Sequence, residues 1–320
     1  MILALAITGP TASGKTALSL SVAKHFDGEI ISCDSMQIYR EMDIGTAKAT
    51  AEERAVVPHH LIDIISPLES YSAQSYRSDA IRCAEEIVSR GRLPIFVGGT
   101  GLYIDSVIRP MSSDSPESNS QYREEILASI KTEDDVTALW NRLRAVDPES
   151  AEKIHKNNIQ RVIRALEIYD TTGKPKSLID RESLLAPSEV DVKMITIDFY
   201  DREKLYERVN KRVDLMIEEG LVDEVKSLYD RGLLAGKTAS AAIGYKEIVE
   251  YIEGKCSLEE AVEKLKISTR RYAKRQLTWF RHERDAVTIY ADTRDGRLKS
   301  ADELCSEAIE ICRGLIEKNK

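Results

Sequence analysis

Short apolar runs and amphipathic stretches alternate through the first hundred residues. Residues 3–8 (LALAIT) form an unbroken apolar run of strand length that ends at Gly9 and Pro10. From Lys15 to about Phe26 the apolar positions follow a helical period, with Ala17, Leu18, Val22 and Ala23 on the inner side. Residues 29–34 (EIISCD) predict a second strand. Ser72 as N-cap and Gly91 as terminator bracket a helix reaching Arg90. Residues 94–97 (PIFV) predict a third strand, running into Gly98, Gly99, Thr100 and Gly101. Strands alternating with helices imply an α/β fold with a parallel sheet covered by helices.

The pattern then changes. Residues 111–120 (MSSDSPESNS) are polar and turn-rich, and from Gln121 to Tyr169 only helical periodicity is found, closing at residues 171–175 (TTGKP). A second loose stretch, 177–190, leads back to a strand at 192–199 (VKMITIDF). The remainder predicts helices, a late strand at 286–290 and a closing helix from about Ala301. These bounds predict an α/β core of 1–115 and 189–320, interrupted by an all-helical insertion, 116–188.

Composition narrows the class. The chain is 42% hydrophobic and 31% charged, as soluble globular proteins are. No apolar run approaches the roughly 20 residues that span a bilayer. The apolar start, MILALAITGP, lacks a basic region and a cleavage site, so it reads as a buried strand and not a signal peptide. The five cysteines, Cys33, Cys83, Cys256, Cys305 and Cys312, are scattered and never spaced CxxC, which predicts reduced thiols in the cytoplasm and no structural zinc. The net charge of −8 weighs against a generally nucleic-acid-binding surface. One segment reverses it. Between Lys264 and Arg284 eight Lys/Arg face one acid, Glu283.

Gly9, Pro10, Thr11, Ala12, Ser13, Gly14, Lys15 and Thr16 fit GxxxxGK[ST] in full, between a predicted strand and a predicted helix. Glycines let the backbone close round an anion, and loop N–H groups with the helix amino end bind it. Lys15 would neutralise the outer phosphate and Thr16 would ligate Mg²⁺. The loop by itself also fits a nucleoside or nucleotide kinase with bound ATP. Against that, the third strand ends in glycines and threonine where an NTPase carries a metal-binding aspartate. Asp198, on the strand after the insertion, reads as structural.

Asp34, followed by Ser35, Met36 and Gln37, ends the second strand. Ligands of open α/β sheets bind at the carboxyl ends of strands. Position alone leaves two readings of Asp34: a proton acceptor in the cleft, or a helix cap or bond to the phosphate-loop backbone. Arg208 and Arg212 share a helix face with Glu203 and Glu207, so surface ion pairs are as well supported there as ligand binding.

In order along the chain, GPTASGKT, DSMQIYREMDIGTAK, PHHLID, PIFVGGTGLY, TGKP, IGYKE and RRYAKRQLTWFRH resemble the motifs of the tRNA dimethylallyltransferase family, over residues 9 to about 283. Adenylate isopentenyltransferases share the first two, and the later motifs favour the tRNA-modifying branch. The resemblance implies a monomeric cytoplasmic enzyme that uses Mg²⁺, dimethylallyl diphosphate and the anticodon stem-loop of tRNA. It implies that the phosphate loop holds the diphosphate together with Arg212, that Asp34 is the general base for the adenine amine, and that Thr100 contacts the reacting groups. The matching tRNA-contact positions are Asp34, Ser35, Met36, Gln37, Thr100, Arg123, Gln160, Arg161, Val162, Ile163, Arg164, Lys237, Ala242, Arg270, Arg271, Lys274, Arg275 and Gln276. Read from the residues alone, the basic run is a solvated helix face, and Tyr272, Trp279 and Phe280 are core. The chain departs from the family's HPNDxxR stretch with His155, Lys156, Asn157, Asn158, Ile159, Gln160 and Arg161, which puts the geometry of that turn in question. His59 and His60 read as structural. The ending without a zinc-finger tail implies a bacterial-type enzyme.

Overall fold

The structure, a computed structural model, describes residues 1–109, 119–185, 188–283 and 285–317. The polar stretch at 111–118 and Arg284 therefore lie outside the described residues.

The chain opens with β1 (Ile2–Thr8), α1 (Lys15–His25), β2 (Gly28–Ser32), α2 (Ala51–Val56), β3 (His59–His60), α3 (Ala73–Ser89), β4 (Leu93–Gly98) and α4 (Gly101–Ile108). Next come α5 (Ser120–Ser129), α6 (Glu133–Val146), α7 (Pro148–Lys153), α8 (Ile159–Thr172) and α9 (Lys176–Leu184). The chain closes with β5 (Val190–Asp198), α10 (Arg202–Glu218), α11 (Leu221–Asp230), α12 (Tyr245–Ile252), α13 (Leu258–Phe280), β6 (Val287–Tyr290) and α14 (Ala301–Glu317). Two compact units result. One comprises Met1–Ile108 with Val190–Lys320, the other Arg109–Glu189.

The larger unit holds one six-stranded sheet, ordered β3-β2-β4-β1-β5-β6 and parallel throughout. Its residues divide by face, as period-two geometry requires. Leu5, Ile7, Ile195 and Ile197 point to one side with Leu18 and Val22 of α1 and Ala308 and Cys312 of α14. Ala4, Ala6, Ile31 and Phe96 point to the other, against Tyr76, Ala80 and Ala84 of α3 and Ile104 and Val107 of α4. In register, Thr8 at the end of β1 lies opposite Gly98 of β4 and Thr196 of β5, so the loops after these strands emerge together.

Two sequence expectations are corrected and two hold. The strand at His59–His60 had no apolar alternation to betray it; it is held by pairing with Ile30 and Ile31 and by the His60 Nε2 bond to buried Glu29, 2.6 Å. The stretch from 177 contains α9 and is not loose up to Leu184. No glycine or proline interrupts it, Ile179 is buried, and Asp147 Oδ2 accepts the Ser177 N–H at 2.9 Å. Ser72 caps α3 through the Ser75 N–H, as its type predicts. Asp198 is structural: both its oxygens bind Arg281, at 2.7 and 2.8 Å.

Candidate active site

The loop between β1 and α1 turns left-handed three times, at Gly9 (φ 142°), Ala12 (φ 62°) and Gly14 (φ 100°). Glycine relieves the strain at two of these, and Arg208 of α10 secures the third by donating from Nε to the Ala12 carbonyl at 2.7 Å. This overturns the surface ion-pair reading of Arg208. Lys15 folds back over the loop, Nζ donating to the Gly9 and Pro10 carbonyls at 2.9 and 2.6 Å. Ser13 Oγ is buried without a hydrogen-bond partner. A buried hydroxyl left unpaired at a helix amino end suits an anionic oxygen.

Beyond β2, Cys33 holds the chain in the sheet: its N–H donates to Val97 O at 2.7 Å, and its carbonyl accepts from Thr100 N at 3.1 Å. Gly98 has to be glycine, because a Cβ there would stand 2.2 Å from the Cys33 carbonyl oxygen. Asp34 then turns out of the sheet. Its Oδ1 accepts the Met36 N–H at 2.9 Å, a local turn bond, so it caps no helix and binds no phosphate-loop amide. Thr100 Oγ1 accepts from Ser35 N at 3.0 Å and lies 3.3 Å from Ser35 Oγ. Gln37 is fixed at both ends, accepting from Ser32 Oγ at 2.9 Å and donating to the Thr46 and Ala47 carbonyls at 3.3 Å.

These pieces face one cavity of about 570 Å³, wholly within the larger unit. Thr11 to Thr16 line it with Asp34 to Gln37, Gly98, Gly99 and Arg212. Val97, Val213, Met216, Ile243 and Leu265 add apolar wall. The electrostatics follow from two half-buried cations and one carboxylate. Burial, and then the Arg212 charge, bring the Lys15 ammonium down to about 7, against an opposing pull from Asp34. Burial likewise lowers Arg212, with Asp34 opposing. The cavity is short of negative charge, and a diphosphate would supply it.

The carboxyl half of α13 closes the site. Gln276 is a buried strut: Oε1 accepts from Thr11 N at 2.8 Å and Nε2 donates to Gly99 O at 2.9 Å. Expected as a tRNA contact, its side chain instead ties the phosphate loop to the glycine-threonine loop. Arg271, Lys274 and Arg275 are exposed, and the Arg275 guanidinium lies 5.6 Å from the centre of the Tyr272 ring. Arg270 is engaged by Asn210 Oδ1 at 2.6 Å. Of the three aromatics read as core, only Phe280 is. Tyr272 lines the cavity, and Trp279 lies across Gly101, where a Cβ would meet its ring at 2.4 Å. Lys237 is exposed, whereas Ala242 is buried and offers the cavity only a wall.

In the smaller unit Arg123 and Arg164 converge on buried Glu167. Arg123 donates at 2.8 and 2.9 Å and Arg164 at 2.9 Å. Gln160 and Arg161 are exposed on the first turn of α8. Val162 and Ile163 are 1% and 0% exposed, so neither side chain can touch RNA. A continuous five-residue span on a helix necessarily puts part of itself inward. In the divergent turn before α8, Asn158 occupies the N-cap without a side-chain bond, and Asn157 N–H donates to His155 Nδ1 at 3.2 Å.

Sequence reasoning missed Gln276 as a strut and the bracing of the site by Arg208, Tyr272 and Trp279. For the three residues of α13 the local signal was their place in the basic run; for Arg208 it was the helix face shared with Arg212, which did not point to the Ala12 carbonyl.

Fold and site together define an α/β protein whose glycine-lysine loop shares a cavity with a strand-end carboxylate and two arginine-bearing helices. The model of the IPP transferase family matches residues 37–283, and that of the isopentenyl transferases matches residues 2–61. The chain belongs to the IPP transferase family. It is 51% identical over 276 residues to a tRNA dimethylallyltransferase of Thermoanaerobacter sp. (strain X514), covering 86% of this chain and 87% of that one. It is 48% identical over 314 residues to that of Bacillus cereus (strain AH187), covering 98% and 95%. The crystal structure of the tRNA delta(2)-isopentenylpyrophosphate transferase from Staphylococcus epidermidis matches with a TM-score of 0.70 at 40% identity, over all of both chains. A eukaryotic dimethylallyltransferase acting on tRNA matches with a TM-score of 0.81 at 29% identity, over 99% of this chain and 80% of that one.

Proposed function

We propose that the protein transfers the dimethylallyl group of dimethylallyl diphosphate to the exocyclic N6 of the adenine 3′ of the tRNA anticodon, releasing diphosphate. The observation that carries this is the single cavity in which Lys15, Arg212 and the unpaired Ser13 hydroxyl share walls with Asp34. The allylic C–O bond breaks with its electron pair leaving on the diphosphate. The amine nitrogen forms the new N–C bond, and its proton passes to Asp34. Loop amides, Lys15 and Arg212 stabilise the departing negative charge, and such fixed electrostatic stabilisation usually lowers a barrier more than any other single effect. A positioned carboxylate contributes roughly 10²–10⁴-fold to a step that removes a proton.

Thr100 acts through Ser35, keeping the Asp34 turn in place. Thr16, on the first turn of α1 and lining the cavity, would hold Mg²⁺ through its hydroxyl, the ion supplying further charge neutralisation at the diphosphate. An adenine inside a stem-loop reaches such a cavity only when swung out of its stack. The exposed Arg271, Lys274 and Arg275 beside the cavity, with Lys237, would meet tRNA phosphates. The acting species in this reading is a cytoplasmic monomer, and among the described residues no helix is long and apolar enough to cross a membrane.

The test is direct. Incubated with unmodified tRNA and dimethylallyl diphosphate, the protein should yield dimethylallyl-adenosine in a nuclease digest read by mass spectrometry. Transfer of phosphate from ATP to a nucleoside, with no alkylated adenosine, would overturn the proposal in favour of a kinase.

A further inference from the structure

Part of the cavity wall is a loop, residues 43–47, that belongs to no helix or strand. Gly45, Thr46 and Ala47 line the cavity. The loop's shape is dictated by a carboxylate remote in sequence. Glu224 of α11 accepts three consecutive backbone N–H groups: Asp43 N at 3.0 Å and Ile44 N at 2.7 Å on Oε2, and Gly45 N at 3.1 Å on Oε1. Its Oε1 also accepts the Tyr245 hydroxyl at 2.6 Å. Three successive amides converging on one anion form a concave cradle of the kind that binds free anions. Here the protein's own side chain fills it. The Tyr245 ring seals the arrangement, since a Cβ on Gly45 would stand 2.6 Å from it. Beneath the loop, the buried ammonium of Lys48 donates to Tyr39 O at 2.8 Å and to Asp43 and Asp63, each at 2.6 Å.

What the loop presents inward is two carbonyls. Thr46 O and Ala47 O accept both bonds made by the Gln37 amide, whose oxygen takes the Ser32 hydroxyl. Gln37 stands three residues beyond Asp34 in the same turn. A chain of direct bonds thus runs from Glu224 through the loop to Gln37. We propose that Glu224 is a positioning residue: by holding the amides of residues 43–45 it sets the carbonyls that orient Gln37, and so aligns the base-receiving side of the cavity. It touches no reacting atom, and the inference rests on the prenyl-transfer reading for its kinetic part only. The phosphate loop is held independently, by Gln276, Arg208 and Lys15, so diphosphate binding should not depend on Glu224.

Glu224→Gln tests this. An amide can accept on one side only: its NH₂ would face either the Asp43 and Ile44 amides or the Gly45 amide, with the Tyr245 hydroxyl free to turn and accept, so at least one backbone bond breaks. Amide hydrogen exchange at residues 43–45 should accelerate in the free protein while β1, β4 and α1 keep their protection. With tRNA and dimethylallyl diphosphate, kcat should fall roughly 10- to 100-fold, the scale of a slightly misplaced reactant. The KM for dimethylallyl diphosphate should move less than about 3-fold. In a double-mutant cycle Glu224→Gln with Gln37→Ala should be no slower than the slower single variant, because both interrupt the same run of bonds. Losses that multiply, or unchanged exchange at residues 43–45, would overturn the proposal; a purely structural role predicts the first. Should Glu224→Gln not fold, Tyr245→Phe removes one of the four bonds and keeps the ring on Gly45. It should show the same exchange and kinetic pattern in smaller measure, and its absence counts equally against the idea. If the wild-type protein alkylates no tRNA, the transfer reading fails, while the exchange arm still decides whether Glu224 sets the loop.

Discussion

Binding of an allylic diphosphate should draw a proton from solvent onto Lys15. Burial and the neighbouring Arg212 hold this ammonium at about 7 in the free protein, so at pH 7 about half the molecules carry it neutral. A diphosphate laid over the loop brings opposite charge into contact and restores the ammonium toward its ordinary value. Uptake on binding is then roughly half a proton at pH 7, near one at pH 9 and close to none at pH 5.5. The bound state holds more protons than the free state, so affinity falls as pH rises through 7, approaching about tenfold per unit above pH 8. Isothermal titration in buffers of different ionisation enthalpy reads the uptake as the slope of observed heat against buffer enthalpy. Lys15→Arg keeps the cation without a titratable group in this range, so it reports the ligand's own proton exchange for subtraction. Equal slopes for wild type and Lys15→Arg at pH 9 would refute the reasoning, because Lys15 would then be fully charged before the ligand arrives.

Other consequences concern the carboxylates and the basic face. Asp34→Ala should lower kcat by roughly 10²–10⁴-fold with tRNA affinity, read by filter binding, nearly unchanged; parallel loss of both would mean that Asp34 is a binding group and not the base. For Glu29, burial alone would raise its carboxyl, but bonds from Arg90, His60 and Arg92 outweigh it and bring it down to about 2. A depressed carboxyl contributes stability that is present above its unfolded value and lost as pH falls through the folded one. Glu29→Gln should therefore cost roughly 2–4 kcal/mol at pH 7 and little at pH 2, measured by urea unfolding, and an equal cost at both would contradict the ion-pair origin. Neutralising Arg271, Lys274 and Arg275 should flatten the salt dependence of tRNA binding by about 0.7–0.9 in log–log slope for each phosphate no longer neutralised; an unchanged slope would place RNA elsewhere.

Motifs whose physics is local were legible in the chain. The phosphate loop needs only glycines, a lysine and a threonine between a strand and a helix, all contiguous. Ser72 caps α3 by reaching its own third amide, and the apolar runs of β1 and β4 show themselves because strands buried on both faces are almost wholly apolar. Even α2, which no apolar period marks, carries a local signal in Thr50 and Glu53, a reciprocal capping box. The two-residue β3 carries none, for it exists only because β2 offers it an edge and Glu29 a partner for His60.

The amino-acid order by itself determined the sheet-and-helix class and the family, through elements and motifs that depend on near neighbours. Only the tertiary structure decided that Arg208 reaches the Ala12 carbonyl across 196 residues, that Gln276 braces Thr11 to Gly99, and that Glu224 fills the amides of residues 43–45. Each of these is one polar side chain meeting backbone groups far away in the chain. Backbone groups are the same at every residue, so no pattern in the sequence marks which of them such a side chain will find.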